Sequence, residues 1–189
     1  MKVSRRGMLG GGMLASVIGG ALAVPTVAGL AGWRWRQGAA HGGAPLLLFD
    51  PTLHAGMRFA RAGQHAGGEP QAMTGDPVRL MQGLLASAPA LIAGVSRHAH
   101  ALLAVEAAQE AGYVLAGEMF GDAAGCSANT CHAGWVPLTR MAVHAGPHWV
   151  EVLAQWALDP AARGEHAVPR QSGPAPRETA LGWVMVPRG

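Results

Sequence analysis

An excess of charge of either sign is missing from most of this chain. Only 13% of the 189 residues are charged, and no acidic residue occurs before Asp50. Of the 14 basic residues, three (Lys2, Arg5 and Arg6) lie at the extreme N-terminus, which leaves 11 to balance the 11 acidic ones. Binding to a phosphate backbone needs a basic stripe or patch, and the body of the chain has none. We therefore do not expect a nucleic-acid partner.

Charge is absent altogether from residues 7–32, directly after the basic N-terminus. A basic segment followed by an uncharged apolar one is the order of an export signal. Residues 4–9 (SRRGML) resemble the twin-arginine (Tat) signal, S/T-R-R-x-F-L-K, with Met8 at the phenylalanine position and Gly10 where lysine is usual. The resemblance covers the leader alone. It implies that the protein crosses the membrane already folded.

The leader has two candidate cleavage sites and one alternative role. Signal peptidase cleaves after a small-x-small pattern, which occurs at residues 21–23 and 29–31. Residues 1–31 are therefore expected to form a signal peptide that is cleaved after Ala23 or after Ala31. Alternatively, the uncharged run of residues 7–32 is longer than the roughly 20 residues that span a bilayer and would remain as an inner-membrane anchor. We expect a periplasmic protein delivered by the Tat machinery, with membrane contact only if the leader is uncleaved.

The rest of the chain divides into a linker and one domain without internal repeats. Residues 32–44 are rich in Gly and Ala and are expected to be a linker, and residues 45–189 a single domain. Apolar runs alternate with amphipathic segments along this domain, a pattern typical of strands alternating with crossover helices. The sequence therefore predicts an α/β fold: a small three-layer domain with a mainly parallel four- to five-stranded sheet.

Turn and cap signals place the elements of this domain. Asp76 followed by Pro77 predicts a helix start, and Ser96 is expected to cap the next helix. The apolar stripe of that helix is expected to include Leu102 and Leu103, and Arg58 is expected on the polar side of the first helix. The predicted strands are Leu46–Phe49, 71–74, 90–95, 113–117 and, at a sheet edge, 181–186.

Four residues at the predicted carboxyl edge of the sheet are candidate ligand-binding residues: Asp50, Asp76, Ser96 and Arg97. Ligands of parallel sheets bind beyond this edge, where helix N-termini offer free backbone N–H groups. Ser96 and Arg97 at a helix start would bind a carboxylate or a phosphate. In the simpler alternative, Ser96 and Asp76 are helix caps and Arg97 is solvated.

Residues 94–98 (GVSRH) resemble the nucleophile elbow of α/β-hydrolases, G-x-S-x-G, because they also lie between a predicted strand and a helix. His98 stands where the motif needs its final Gly, and no acid and histidine downstream stand out as partners of a triad. His98 and His100 are two residues apart, do not share a helical face and are expected to be surface residues. The chain thus carries no clear catalytic signature.

The segment 126–132 (CSANTCH) admits three interpretations. In an oxidising compartment the most direct is a disulfide between Cys126 and Cys131. A C-x4-C-H spacing also resembles the C-x-x-C-H attachment of haem c, although a Tat leader implies folding before haem is attached outside the membrane. Candidate second axial ligands are Met119, Met141 and His144. A third interpretation is a Zn or Cu site, whose candidate ligands are Cys126, Cys131, His132, His144 and His148.

These features favour a binding or accessory role over catalysis. We expect an exported periplasmic α/β protein that acts as a small-ligand binder, with a small anionic ligand, or as an accessory subunit with a periplasmic protein partner. No cofactor is predicted. The alternative is a periplasmic redox or metal protein that uses Cys126, Cys131 and His132 to hold haem c, Zn or Cu.

Overall fold

The structure, a computed structural model, describes residues 42–130, 136–159 and 178–188. The predicted leader, most of the predicted linker, Cys131 and His132 lie outside these ranges. No helix within them is long and apolar enough to cross a membrane.

Six strands and five helices make up the described part of the chain. The strands are β1 (Leu46–Phe49), β2 (Gln71–Ala72), β3 (Ile92–Ser96), β4 (Tyr113–Gly121), β5 (Cys126–Thr130) and β6 (Ala180–Pro187). The helices are α1 (His54–His65), α2 (Pro77–Leu85), α3 (His98–Glu110), α4 (Val136–His144) and α5 (Trp149–Leu158), with a 3-10 turn at Gly146–His148 before α5. The predicted α/β class is confirmed.

The sheet is mixed, so the prediction of a mainly parallel four- to five-stranded sheet is wrong. Its six strands lie in the order β2-β1-β3-β6-β4-β5. β1 is parallel to both neighbours, whereas β6 is antiparallel to β3 and β4, and β5 is antiparallel to β4. β6, expected at an edge, lies inside the sheet, and residues 180–186 are all buried. A strand covered on both faces is apolar throughout, as LGWVMV is.

Helices cover both faces of the sheet, which gives the predicted three layers. The core on one face includes Phe59 of α1, Leu138 of α4 and Leu153 of α5. The core on the other face includes Met81 of α2 and Ala104 of α3. Each face is covered because successive side chains of a strand point to opposite sides.

Two tryptophans fit over glycines of the sheet. Trp183 of β6 is paired with Gly94 of β3, where a Cβ atom would overlap the indole ring. The Nε1 of Trp183 donates a hydrogen bond to the Oγ of Ser96 at 3.2 Å. On the opposite face, Trp149 lies over Gly121 and Gly182. These contacts fix the middle of the sheet at the end where β3 stops.

The two predicted helix faces need correction. α3 buries a row of small residues, Ala101, Ala104, Ala107 and Ala108. Leu102 and Leu103, the predicted apolar stripe, are instead 55% and 46% exposed. Alanines let the helix approach the sheet closely. Because successive residues of a helix are rotated by about 100°, the two leucines point outward when the alanines face the sheet.

Arg58 of α1, expected on the polar side, is buried between α1 and α5. Its Nε and Nη2 atoms donate to the two carboxylate oxygens of Glu151 at 2.8 and 2.7 Å, and Nη2 also donates to the carbonyl of Pro147. A buried charge needs such partners. The ion pair lies where α1 packs on α5.

Candidate functional site

The carboxyl ends of β1 and β3 lie side by side and form the topological switch point of the sheet. Phe49, the last residue of β1, is paired with Val95 near the end of β3. The chain leaves β1 for β2 on one side and then crosses to β3 on the other. Open α/β sheets bind ligands in the crevice at such a point. Asp50 follows β1 directly and Arg97 follows β3 directly.

Asp50 is a buried carboxylate whose two oxygens have different surroundings. Its side chain is 1% exposed. Oδ1 accepts hydrogen bonds from the backbone N and the Oγ1 of Thr52, at 2.9 and 2.5 Å. Oδ2 is inaccessible to solvent and has no hydrogen-bond partner. It faces the Nδ1 of His100 at 3.4 Å and the Nε of Arg97 at 3.9 Å.

The surroundings of Asp50 favour its charged form. Burial by itself raises the pKa of this carboxyl, but the two hydrogen bonds from Thr52, and then the charges of Arg97 and His100, outweigh it, so the pKa is lowered from its usual value. Asp50 is therefore an anion at neutral pH.

Arg97 and His100 reach Asp50 from the first turn of α3. They are three residues apart and so lie on the same side of the helix. The Nδ1 of His100 is buried and has no hydrogen-bond partner, yet its side chain is 35% exposed, so the exposure belongs to other atoms of the side chain. Arg97 is 55% exposed. His98 points elsewhere, toward the ring of Phe120 at a centroid distance of 6.1 Å.

The N-terminus of α3 has no side-chain cap. Arg97 is the N-cap residue and makes no capping hydrogen bond, so the expected cap at Ser96 is wrong. Ser96 ends β3, is fully buried, accepts from Trp183 and donates to the carbonyl of Arg97 at 3.1 Å. Because its hydroxyl is buried and bonded, Ser96 is left out of the site. The first-turn N–H groups of α3 carry the positive end of the helix dipole to this edge.

Asp76, the fourth predicted ligand residue, caps α2. Its Oδ1 accepts hydrogen bonds from the backbone N of Val78 and of Arg79 at 2.9 and 3.3 Å, with Pro77 in the first helical turn. The cap interpretation of Asp76 is therefore confirmed. Its side chain is 55% exposed and lies 3.8 Å from the Nε of Arg79.

Glu178, which sequence reasoning overlooked, supplies the cap that α1 lacks locally. The N-cap residue of α1 is Leu53, which has no side-chain acceptor, and Glu178 Oε1 instead accepts from the N of Ala55 at 2.6 Å. The one sequence signal was the missing cap at Leu53. The two partners are 123 positions apart, so nothing local indicates which residue completes the helix.

The predicted disulfide of Cys126 is not formed: this residue has a free thiol. The physical reason is the extended strand β5, which places the Cα atoms of residues 126 and 130 about 13 Å apart. Disulfides need Cα atoms about 7 Å apart or less, and the strand leads the chain away from Cys126; Cys131 itself lies outside the described residues. Burial raises the pKa of the Cys126 thiol to about 11.

The other candidate metal or haem ligands are spread over several elements. Met119 is fully buried in the core, His144 is exposed at the end of α4 and His148 lies in the 3-10 turn with its Nδ1 buried and unpartnered. Within the ranges that the structure describes, no three His, Cys, Asp or Glu side chains are grouped to hold a metal ion. Cys131 and His132 lie outside those ranges.

Fold and site define an α/β domain with a polar cluster, Asp50, Arg97 and His100, at the switch point of a mixed sheet. No protein-family model, curated protein or solved structure matches the chain. The interpretation of the cluster therefore rests on its own geometry.

Proposed function

We propose that this is an exported periplasmic α/β protein that binds a small anionic ligand, a carboxylate or a phosphate, at the carboxyl edge of its sheet. Arg97 and His100 contact the ligand, and the buried carboxylate of Asp50 positions both side chains electrostatically. The proposal assigns binding and no reaction, whether the protein acts alone or as an accessory subunit.

The convergence of Arg97 and His100 on one buried carboxylate oxygen is the observation that carries this proposal. Both distances, 3.9 and 3.4 Å, run to Asp50 Oδ2. A side chain that is already positioned loses less entropy when a ligand binds. The guanidinium matches an oxyanion in shape, and the open N-terminus of α3 adds backbone N–H donors.

The accessible groups of the cluster favour an anion over a cation. Asp50 would be the natural partner of a cationic ligand, but its side chain is 1% exposed and Arg97 and His100 already face it. What the cluster presents to solvent is a guanidinium and an imidazole. Both donate hydrogen bonds to oxyanions.

The leader supports export by the Tat machinery into the periplasm. Residues 1–31 are the proposed signal peptide, cleaved after Ala23 or Ala31, with residues 7–32 as the alternative anchor. A domain with a buried core on both faces of one sheet suits a route that carries folded proteins.

The site is tested by anion binding to the purified mature protein. Thermal shift and titration calorimetry with acetate, phosphate and sulfate should show saturable binding, and R97Q should weaken it about tenfold, the loss of one charge-assisted contact. R79Q is the matched control, because Arg79 also lies in the first turn of a helix beside an aspartate. Absence of binding, or equal weakening by both variants, would rule out the proposed site.

A further inference from the structure

Two polar atoms at the site face each other without making a hydrogen bond. Asp50 Oδ2 and His100 Nδ1 are 3.4 Å apart, both are inaccessible to solvent, and neither has another hydrogen-bond partner. Buried polar atoms are normally satisfied, since leaving one unpaired costs free energy. The pair therefore lacks something that would connect its two atoms.

One N–H on the Nδ1 of His100 would connect them, but a neutral imidazole then has only a lone pair on Nε2 and nothing to donate to a ligand. A neutral imidazole carries one N–H, so a ring whose N–H is on Nε2 turns the lone pair of Nδ1 toward a carboxylate that is itself only an acceptor. An imidazolium has an N–H on both nitrogens. Its Nδ1–H can donate to Asp50 Oδ2, 3.4 Å away, while its Nε2–H donates to a ligand.

The charge of the cluster points the same way. Arg97 and ionised Asp50 cancel, so with a neutral His100 the three groups carry no net charge and attract an anion weakly. A proton on His100 leaves a net charge of +1 beside the N-terminus of α3. Anion and proton then stabilise one another, which is positive coupling between two ligands.

Among the residues that the structure describes, the other elements packed on α3 place no further ion-pair partner beside His100. Core residues of α2, β3 and β6 that pack against this helix are apolar, among them Met81, Ile92 and Trp183. From β4, Phe120 contacts His98. Asp50 is the only acidic group within ion-pair distance of His100 in the described ranges, and Arg97 is the cation that shares it.

We propose that the site takes up a proton together with its oxyanion, and that His100 carries this proton between Asp50 and the ligand. The proton comes from solvent, goes to the imidazole and returns to solvent when the ligand leaves; no covalent bond to the ligand forms or breaks. The inference rests on the proposed anion site and adds that Asp50 is the positioning residue for His100.

The test uses sulfate, which holds no proton of its own near neutral pH. Titration calorimetry of the mature protein in two buffers of different ionisation enthalpy gives the number of protons taken up per sulfate. We expect uptake to approach one proton at the alkaline end of the range from about pH 6 to 8.5, where free histidine is neutral, and affinity there to fall about tenfold per pH unit.

His98 supplies the matched control, because it lies on the same helical turn, is exposed and does not face Asp50. H98Q should keep both the uptake and the pH dependence. H100Q should bind sulfate more weakly, without uptake and with little dependence on pH. D50N should keep His100 and still lose most of the uptake, because the carboxylate that accepts the Nδ1–H is gone.

The outcomes separate the two proposals. Saturable sulfate binding that R97Q weakens but that takes up no proton overturns this inference and leaves the anion site standing. Undiminished uptake in H100Q also overturns it, since the proton would then be on another group. If acetate, phosphate and sulfate all fail to bind throughout the pH range, both the site and the inference are wrong.

Discussion

A single carboxylate organises the carboxyl edge of this sheet. The aspartate after β1 is recognisable in the sequence, where it precedes proline and follows an apolar run. Its charge state at neutral pH depends on Thr52, Arg97 and His100, which together lower the pKa of Asp50 although burial raises it. Because that pKa is lowered, the ionised Asp50 stabilises the fold at neutral pH, and this contribution is lost as the pH falls below about 4.

The Cys126 thiol should be unreactive in the folded protein. The C131S variant leaves Cys126 as the one thiol of the chain. In this variant we expect iodoacetamide at about pH 8 to alkylate the folded chain roughly 100-fold more slowly than the unfolded chain. Burial raises the pKa of the thiol from 9.0 to about 11, and the thiolate is the reactive form. Intact mass against time gives both rates.

The wild-type chain serves as the comparison for that measurement. Two thiols that become alkylated on unfolding without reductant agree with the free Cys126 of the structure. Thiols that stay blocked until reductant is added would instead show a disulfide and contradict the free Cys126 thiol. The raised pKa also means that this group favours the folded state below about pH 9 and ceases to do so as the pH rises toward 11.

At the scale of elements, an ion pair joins α1 to α5. The Arg58 and Glu151 side chains are only 5% and 4% exposed, and they form a bidentate pair. Such a pair adds little over an apolar substitute of the same shape, but a single remaining charge is costly. Loss of one partner alone is therefore the change at this contact that should cost the most stability.

Removal of one partner should destabilise the protein more than removal of both. E151A is expected to lower the free energy of unfolding by about 3 to 5 kcal/mol, because Arg58 stays buried without its carboxylate. R58M with E151L should recover most of this loss. Urea unfolding followed by circular dichroism measures both, and R79Q, which breaks an exposed pair, should change little.

A double variant no more stable than E151A would mean that the pair itself, and not the isolated charge, stabilises the contact between α1 and α5. Helical periodicity did not indicate this contact, because it marks the polar face of a helix without showing what packs on that face. Arg58 falls among polar neighbours along α1, and Glu151 lies 93 positions away.

At the scale of the whole molecule, the proposed export would depend on the leader. Replacement of Arg5 and Arg6 by lysine should keep the charge of the leader and still abolish appearance of the protein in the periplasm, since Tat signals are read by a receptor as an arginine pair. The same change at Arg34 and Arg36 is the control and should leave export intact. Cell fractionation with intact-mass analysis measures export and the cleavage position together.

A periplasmic protein of mass corresponding to a chain cut after Ala23 or Ala31 agrees with the signal-peptide proposal. An uncut chain recovered from the membrane fraction would favour the anchor of residues 7–32. Equal export of both lysine variants would contradict the Tat route.

Local signals settled much of this fold in advance. β1 was predicted at its observed bounds, and the Asp76–Pro77 start of α2 was predicted with its capping bonds. Each depends on residues within one turn or one strand: an apolar run ended by Asp-Pro, or a side chain that reaches the next N–H groups. The alternation of such elements was enough to give the α/β class.

Tertiary structure alone decided where β6 lies, which face α3 buries and what surrounds Asp50. β6 pairs with β3 across Gly94 and Trp183, a fit that exists only once the two strands meet. His100 is expected from the sequence to be a surface histidine. In the structure the position of α3 places its Nδ1 3.4 Å from Asp50 Oδ2. Strand order and buried contacts depend on partners far apart in the chain, and patterns of neighbouring residues carry no information about those partners.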